Sequence, residues 1–284
     1  MVAISSSVGP YVAAINPGLA SDMERSSVLF RRRRRQRTTM VRLLQVASVV
    51  AFLALWQILA GAGLLNKLFF SRPSDIAAFI GGNFGYLLRN TGVTLRATVT
   101  GFVIGSAAGV LTALVMARFR TLDRVLQPWI SVLMSLPRIA LAPLFLLWFG
   151  ITETSKVALA VSLVYFMVLV STLAGTKTLD SDLKSMAGVY GANNVQMFGK
   201  IIIPGAVPSI FAGLRLGVVT SVLGVIASEM VASSDGLGQI IVLYGQNLES
   251  AGVFAVLVFL AVVTSVLNGL LALWESHLMR WQAT

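Results

Sequence analysis

The 284-residue sequence contains no cysteine and only one histidine, His277. Disulfides, thiol chemistry and a cluster of histidine metal ligands are therefore excluded. Two chemical motifs are also absent: the His-Glu-x-x-His zinc signature and the Gly-x-x-x-x-Gly-Lys-Ser/Thr phosphate loop. We therefore expect no metalloenzyme of that kind, and the chain cannot bind and split ATP through a phosphate loop of its own.

Charge is scarce as well, with 12% charged and 56% hydrophobic residues, whereas soluble domains contain about 25% charged residues. A bilayer-spanning helix needs about 20 apolar residues. Four uncharged stretches are long enough, and they lie between residues 42 and 67, 96 and 118, 156 and 177, and 249 and 275. Two more, 125–152 and 201–228, are each interrupted by one arginine, Arg138 and Arg215. The sequence predicts an all-α integral membrane protein with six transmembrane helices.

A transmembrane barrel is disfavoured because the apolar runs lack its alternating pattern, and a soluble helical bundle is the remaining alternative. Eight of the 22 Lys and Arg residues precede the first span. Fifteen lie on that side of the membrane and four on the other, so we expect both termini in the cytoplasm. Residues 1–40 are interpreted as a mobile basic tail that anchors topology and meets anionic lipid. No nucleic-acid site is expected, because no aromatic residues accompany the arginines.

The second span contains Gly101, Gly105 and Gly109 at intervals of four, which favours close packing against another helix over a kink or gate. Before it, Pro73 predicts an extended turn, and Ser74 is expected to cap a short amphipathic helix over 75–88. Spans four and six offer no specific chemistry and are interpreted as ordinary lipid-packed helices.

Span three contains Pro128, Pro137 and Pro143, and the last two lie in its middle. Proline removes a backbone donor and clashes with the preceding turn, so this span should be bent or broken. Irregular backbone at membrane depth is tolerated where it packs in protein or lines a cavity. Span three is therefore the first candidate for the wall of a transport pathway.

The longest polar interruption after the N-terminal tail is the segment 177–204. Its apolar residues recur at intervals of three and four and predict a short amphipathic helix: Leu179, Leu183, Met186, Ala187 and Tyr190. Gly191 permits a left-handed helix end, and Asn193 or Asn194 can cap a second short helix through about Gly199. Such a helix pair is either a lever for an external motor or an ordinary interfacial loop.

One set of motifs is Leu183-Lys184-Ser185-Met186-Ala187-Gly188-Val189-Tyr190-Gly191-Ala192, then Ile203-Pro204 and Gly213-Leu214-Arg215. It resembles the EAA loop of binding-protein-dependent ABC importer permeases. A second set is Leu136-Pro137-Arg138-Ile139-Ala140-Leu141-Ala142-Pro143-Leu144, Leu147-Trp148-Phe149-Gly150, Ser228-Glu229-Met230 and Gly236-Leu237-Gly238. It resembles the nitrate, sulfonate and taurine branch of that family. We call residues 177–204 the EAA-like segment. The sequence departs from the family at Ser185, where the loop opens with an acidic residue.

The resemblance implies a type I importer permease fold over 41–284 in the bacterial inner membrane. It also implies a permease dimer, formed by two copies of this chain, that works by alternating access. Two cytoplasmic ATPase subunits would bind ATP and Mg²⁺, with no cofactor on this chain, and an extracytoplasmic solute-binding protein would dock on the other side. The residues expected to contact the ATPase are Ser185, Met186, Ala187, Tyr190, Gly191, Ala192, Asn193, Asn194 and Met197.

Candidate pathway residues are Met134, Arg138 and Glu229. An arginine inside a span costs at least about 2.5 kcal/mol on insertion scales, which makes Arg138 a functional candidate. Arg138 faces either an anion pathway or the carbonyl groups freed by its neighbouring prolines. Three roles stay open for Glu229: it pairs with an arginine, it contributes to the outer gate and to the docking of the binding protein, or it makes a purely structural bond. Arg215 is interpreted as structural, and Trp148 and Phe149 as part of an outer rim.

Two other functions compete with an importer permease. An ion-coupled secondary transporter would show internal repeats and intramembrane acids, and neither pattern is clear here. An intramembrane enzyme needs a nucleophile with a base or a metal cluster, and the sequence provides neither. Within the importer family, a small anionic solute is favoured, and a neutral vitamin precursor is the alternative.

Overall fold

The computed structural model describes residues 40–66, 68–179 and 181–279, and for residues 181–184 it describes the backbone only. The predicted basic tail therefore lies outside the described residues except for Met40, and Arg280 and Trp281 lie outside them too. Two units divide the chain, residues 1–65 and 66–284. The first contains helix α1 (Met40–Gly61), which is long and apolar enough to cross a membrane.

The second unit is also helical, and no β-strand occurs within the described ranges. Its α-helices are α2 (Pro73–Arg118), α3 (Arg120–Ser135), α4 (Ala142–Phe149), α5 (Glu153–Lys177), α6 (Ser181–Val189), α7 (Asn194–Met197), α8 (Ile203–Val231), α9 (Leu237–Gln246) and α10 (Ser250–Leu278). A 3₁₀ turn (Arg138–Leu141) precedes α4, and a π-helical turn (Phe198–Ile202) precedes α8.

Within the described residues, five helical stretches are long and apolar enough to cross a membrane, and a bent pair counted as one span brings the number to the predicted six. The bent pair is Arg120–Ser135 followed by Arg138–Phe149, which meet at 80°. The break begins at Leu136 and Pro137, whose backbones are extended or irregular, and Pro143 starts the next helix. The predicted break in span three is confirmed, and the prolines are its physical cause.

Residues 75–88 are helical as predicted, but the helix is not short: they are the first part of the 46-residue helix α2, which joins two helical parts across a kink at Asn83. Ser74 is not its cap: Pro73 is the first helical residue and Arg72 occupies the cap position. The backbone does leave helical geometry once, at Asn83, whose side-chain amide donates to the carbonyl of Phe79 at 3.1 Å. The amphipathic part is therefore joined to the span through a kink.

Span four was expected to pack mainly against lipid, and this prediction is also wrong. Helix α5 lies between α2 and α8, and its buried residues include Leu159, Ala160, Val164 and Val168. Glycine and alanine let these helix backbones approach closely, which is how helices associate in hydrocarbon. Composition alone did not distinguish this central helix from a lipid-facing one.

The predicted second short helix of the EAA-like segment does not end near Gly199. Helix α7 continues through the π-helical turn into α8. Pro204 and Pro208 lie in the first turns of α8 and have no backbone N–H, so regular hydrogen bonding is interrupted where the turn forms. The second half of the segment is thus one continuous structure with span five.

Candidate functional site

A sharp corner separates the two halves of the EAA-like segment. Gly191 has φ +77°, in the left-handed region that glycine adopts without strain. The N–H of Ala192 donates to the carbonyl of Ala187 at 2.9 Å, and the N–H of Gly191 donates to that of Gly188 at 3.0 Å. These bonds satisfy carbonyl groups at the end of α6, as in a glycine C-cap.

Helix α7 begins with a complete capping box. The Asn193 side chain accepts from the N–H of Gln196 at 2.8 Å, and the Gln196 side chain accepts from the N–H of Asn193 at 3.0 Å. Asn193 is therefore the cap, and Asn194 is the first helical residue. Two defined helix ends around Gly191 fix the angle at which the corner projects.

The corner exposes apolar side chains. Val189 is 88% exposed and Tyr190 85%, and Met186 and Val195 are also exposed. Ser185 is exposed, whereas Ala187, Ala192 and Met197 are half-buried. Exposed apolar groups clustered on one projection are typical of a protein-binding surface.

Contacts with the membrane helices hold both ends of the segment. Lys177, at the end of α5, forms an ion pair with Asp123 of α3 at 2.8 Å and a hydrogen bond to Gln127 at 3.3 Å. Leu179 packs against Gly205 in α8, where an added Cβ would overlap its side chain. Movement of the corner would therefore act directly on spans three, four and five.

Arg138 opens the 3₁₀ turn at the break in span three. Its guanidinium donates to the carbonyl of Ser162 at 3.4 Å and lies over the ring of Phe166 at 4.9 Å. Both partners belong to α5, so the carbonyl it contacts is not one freed by the neighbouring prolines. Met134, one helical turn earlier, is half-buried. Arg138 thus lies at the bend between α3 and α4 and contacts α5, and Met134 lies near the end of α3, just before the bend.

Aromatic side chains are exposed after the bend. Leu147 is 82% exposed, and Trp148 and Phe149 are exposed beside it. Phe145 contacts both rings, edge-on to Trp148 and stacked on Phe149. The proposed outer rim therefore coincides with an apolar surface at the end of α4.

The three glycines of α2 face α5. A Cβ added at Gly101 would lie 2.6 Å from the Cβ of Ala160, and one at Gly105 would lie 2.9 Å from that of Val164. At Gly109 it would lie 2.7 Å from the carbonyl oxygen of Tyr165. These distances are shorter than van der Waals contact, so the packing of α2 on α5 depends on the absence of side chains here.

Glu229 lies in a polar cluster at the other end of α8. It is 1% exposed, and its carboxylate lies 3.4 Å from the ammonium of Lys156. Thr94 of α2 donates to the carboxylate at 3.0 Å, and the N–H of Gly238 donates to it at 2.9 Å. The partner of Glu229 is therefore a lysine, not the arginine considered from the sequence.

Comparison with known proteins places these features in one family. The family described as "binding-protein-dependent transport system inner membrane component" matches residues 101–280, more than half of the chain. The chain belongs to this family. It is therefore the transmembrane permease of an ABC importer, and the resemblance predicted from the sequence is confirmed.

Relatives of this permease cover most of its length. The putative aliphatic sulfonates permease SsuC of Bacillus subtilis is 29% identical over 81% of this chain and 84% of its own. The riboflavin permease RibX of Chloroflexus aurantiacus is 31% identical over 84% of this chain and 89% of its own. The taurine permease TauC of Escherichia coli is 30% identical, with the same two coverages.

Solved structures support the importer permease fold. A chain of an amino acid ABC transporter crystallised with histidines aligns with a TM-score of 0.57 and 19% identity, covering 70% of this permease and 97% of that chain. A chain of the inward-facing MetNI methionine ABC transporter gives 0.55 and 21%, covering 68% and 96%. At these identities the comparison concerns the fold alone.

Sequence reasoning missed the partners of Glu229 in this permease. Lys156 was counted only as a loop charge, although it is 5% exposed and lies in the first turn of α5. Thr94, which donates to Glu229, is an ordinary polar residue in α2, 135 positions away in the sequence. The one sequence signal was that an acid and a lysine both border long apolar runs, where an unpaired charge would be costly.

A basic cleft borders the EAA-like segment. Its volume is about 750 Å³, and its lining includes Arg118, Arg120, Arg124 and Lys177, together with Asn194 and Met197. It lies where α2 and α5 end and span five begins. This end of the permease is therefore rich in positive charge.

Proposed function

We propose that this permease forms, with a second copy of itself, the membrane pathway for a small anionic solute. Two ATPase subunits would bind ATP and Mg²⁺, engage the EAA-like segments and drive alternating access in the bacterial inner membrane. The exposed apolar corner at Gly191, joined to spans four and five, is the observation that carries this proposal.

We also propose that the EAA-like end of the permease is cytoplasmic, with both chain termini on that side. The basic cleft formed by Arg118, Arg120, Arg124 and Lys177 supports this orientation, because Lys and Arg concentrate in cytoplasmic loops. The division into a basic tail over 1–40 and a permease domain over 41–284 belongs to the same proposal. The opposite end would then receive an extracytoplasmic solute-binding protein.

Arg138 is the candidate that bears on solute charge. It is half-buried at the break in span three, where a guanidinium can attract an anion once its contacts to α5 open. The permeases named for aliphatic sulfonates and taurine fit a solute that carries an anionic sulfonate group. RibX is named for riboflavin, so a neutral vitamin-like solute is the second candidate.

Gly191 provides the test of coupling. Gly191→Val should abolish ATP-driven uptake while insertion and yield stay normal, because a β-branched residue strains the left-handed corner. Gly188→Ala is the matched control, since no atom lies within 4 Å of its added Cβ. Both variants would be purified with their co-expressed ATPase, and uptake and ATP hydrolysis measured in proteoliposomes. Normal uptake by Gly191→Val would refute the coupling role.

The solute itself is best identified on the binding protein. Mass spectrometry of the small molecule that co-purifies with that protein would distinguish a sulfonate or carboxylate from a neutral vitamin precursor. Arg138→Gln should then lower the uptake of an anion by at least tenfold and leave the uptake of a neutral solute within twofold. Unchanged anion uptake would remove Arg138 from the pathway.

A further inference from the structure

The basic cleft beside the EAA-like segment has an apolar wall as well as a cationic one. Its volume is about 750 Å³. Besides its four cationic side chains, apolar side chains line it from α2 and from the EAA-like segment: Met116, Ala117, Met197, Phe198 and Ile202. A ligand that contacts both walls must itself be amphipathic, with an anionic group and an apolar part.

The cationic wall carries more positive charge than its neighbours neutralise. Lys177 pairs with Asp123 at 2.8 Å, and Asp123 is the one acid among the described residues that line the cleft. The side chains of Arg118, Arg120 and Arg124 are exposed, and they form no ion pair with any side chain that the structure describes. The cleft therefore has three positive charges that an anion could neutralise.

Two of these arginines are placed to bind one anion together. Arg120 and Arg124 lie four residues apart in α3, so their side chains share one face of the helix, where like charges destabilise it. An anion bound to both would remove this repulsion. The planar guanidinium group forms two parallel hydrogen bonds with phosphate oxygens, so arginine is favoured where phosphate is recognised. These residues therefore indicate a phosphate group as the anionic part of the ligand.

The position of the cleft favours a lipid phosphate over a free one. It lies where α2 ends at Arg118 and α5 ends at Lys177, and both helices are long and apolar enough to cross a membrane. Helix α3 begins beside it and leaves Val125 57% and Trp129 66% exposed, and tryptophan is enriched at the membrane–water interface. Basic pockets between the cytoplasmic ends of transmembrane helices bind anionic headgroups. A free phosphate would leave the apolar wall without a partner.

We propose that the basic cleft binds the headgroup of an anionic phospholipid, with its phosphate at Arg120 and Arg124 and its apolar part against the apolar wall. Asn194 and Met197 line the same cleft, so the bound lipid also restrains the start of α7 relative to α3. This lipid site goes beyond the proposed function, and its binding requires neither the ATPase nor the solute.

Native mass spectrometry of the full-length permease in detergent tests the binding, with phosphatidylglycerol, phosphatidylcholine and inorganic phosphate as probes. The first phosphatidylglycerol should bind at least tenfold more tightly than phosphatidylcholine, whose choline group neutralises its phosphate. In Arg120→Gln/Arg124→Gln this preference should fall to less than threefold, and Arg120→Lys/Arg124→Lys should retain part of it. Arg89→Gln, at an exposed arginine elsewhere on α2, is the matched control and should keep the whole preference. The N-terminal arginines are the same in every variant.

Hydrogen exchange in lipid nanodiscs tests the restraint on the EAA-like segment. The permease would be compared in phosphatidylcholine alone and in three parts phosphatidylcholine to one part phosphatidylglycerol. Amides at 197–202 should exchange at least fivefold more slowly with phosphatidylglycerol in wild type and in Arg89→Gln. In Arg120→Gln/Arg124→Gln the two lipid compositions should agree within twofold. Equal exchange in both compositions for the wild type would overturn the restraint on α7.

Several results would overturn the lipid site. Equal affinity for the two lipids, or an unchanged preference in Arg120→Gln/Arg124→Gln, would show that the arginines do not bind a headgroup. Inorganic phosphate that binds as tightly as phosphatidylglycerol would assign the cleft to a free anion. Loss of the co-expressed ATPase from this variant, with its lipid preference unchanged, would assign the arginines to a protein interface. The proposed function would stand in each case, because it is tested separately at Gly191.

Discussion

The two ends of the membrane bundle satisfy their polar and apolar groups in opposite ways. At the α9 end, Glu229 and Lys156 are buried, and side chains of α2 and α8 accept the N–H groups of residues 236–238. At the EAA-like end, Val189 and Tyr190 project into the surroundings with almost their whole surface exposed. The polar groups of the α9 end are satisfied by contacts within the chain, whereas the EAA-like end leaves apolar side chains exposed.

This difference indicates which end of the bundle can change its conformation. The buried cluster at the start of α9 has few alternative arrangements. If its helices separated, a buried charge or a backbone N–H would lose its partner, which is unfavourable. The exposed corner at Gly191 has few contacts of its own, so it can move together with a protein that binds it. We therefore expect the α9 end to behave as a fixed frame, while displacement of the EAA-like segment acts on the broken span three.

Among the variants that test this comparison, Gly236→Ala should have the largest effect on stability. The backbone of Gly236, φ 111° and ψ 163°, lies in a region that is essentially restricted to glycine. Gly236→Ala should destabilise the permease by about 1–3 kcal/mol from backbone strain alone, and the overlap of the added Cβ with the Glu229 carboxylate should add to this. Thermal stability in detergent, followed by fluorescence size-exclusion, measures the loss.

Gly245→Ala is the matched control in the same helix, since its added Cβ meets no atom within 4 Å. It should raise helix stability by up to about 1 kcal/mol. Equal stability of Gly236→Ala and Gly245→Ala would show that the start of α9 tolerates a side chain at position 236, and that its packing is not as restrictive as the contacts suggest.

Gly105 tests the packing of α2 against α5, the central helix between the two ends of the bundle. Gly105→Ala places a Cβ 2.9 Å from Val164 and 3.0 Å from the carbonyl of Val161 in the central helix α5. Overpacking of this kind costs about 1–3 kcal/mol, and the same thermal assay would detect it. Gly92→Ala, also in α2 but with open space around it, should be neutral or stabilising. A neutral Gly105→Ala would show that α2 can separate from α5 without loss.

Local features of this fold could be predicted from the sequence. The number of spans follows from uncharged lengths, the broken span from Pro137 and Pro143, and the left-handed corner from Gly191. Each depends on one residue or a short run acting on its own backbone. The helix cap at Asn193 is local in the same way, although the sequence left Asn194 as an equal choice.

Features that depend on distant residues could not be predicted. Lys156 and Glu229 are 73 positions apart, and nothing in either neighbourhood indicates that α5 passes α8 at that depth. The central place of α5 was missed for the same reason, because the glycines that reveal it lie on α2. The kink of α2 at Asn83 has no proline or other local signal in the sequence.

Tyr190 tests whether the exposed corner of the EAA-like segment contacts a partner. Tyr190→Ala should change stability by less than about 0.5 kcal/mol, as exposed substitutions usually do. It should reduce recovery of the co-expressed ATPase in affinity purification by at least tenfold, because exposed aromatic residues often dominate interfaces. Tyr86→Ala, also exposed but on α2, is the control and should leave recovery unchanged. Undiminished recovery with Tyr190→Ala would remove this corner as the contact.

The smallest effect is expected at Arg215. Its ion pair with Glu275 of α10 measures 3.1 Å, close to the value at Lys156 and Glu229, but the arginine side chain is 49% exposed. Exposed pairs contribute about 0–1 kcal/mol. The Glu275 side chain is 15% exposed, so this pair is partly exposed, and solvation of the arginine should make it weaker than the buried pair at Lys156. Arg215→Gln should therefore leave thermal stability almost unchanged, whereas Lys156→Met should lower it clearly. If the two variants lose equal stability, burial does not set the strength of these pairs, and the contrast between the two ends fails.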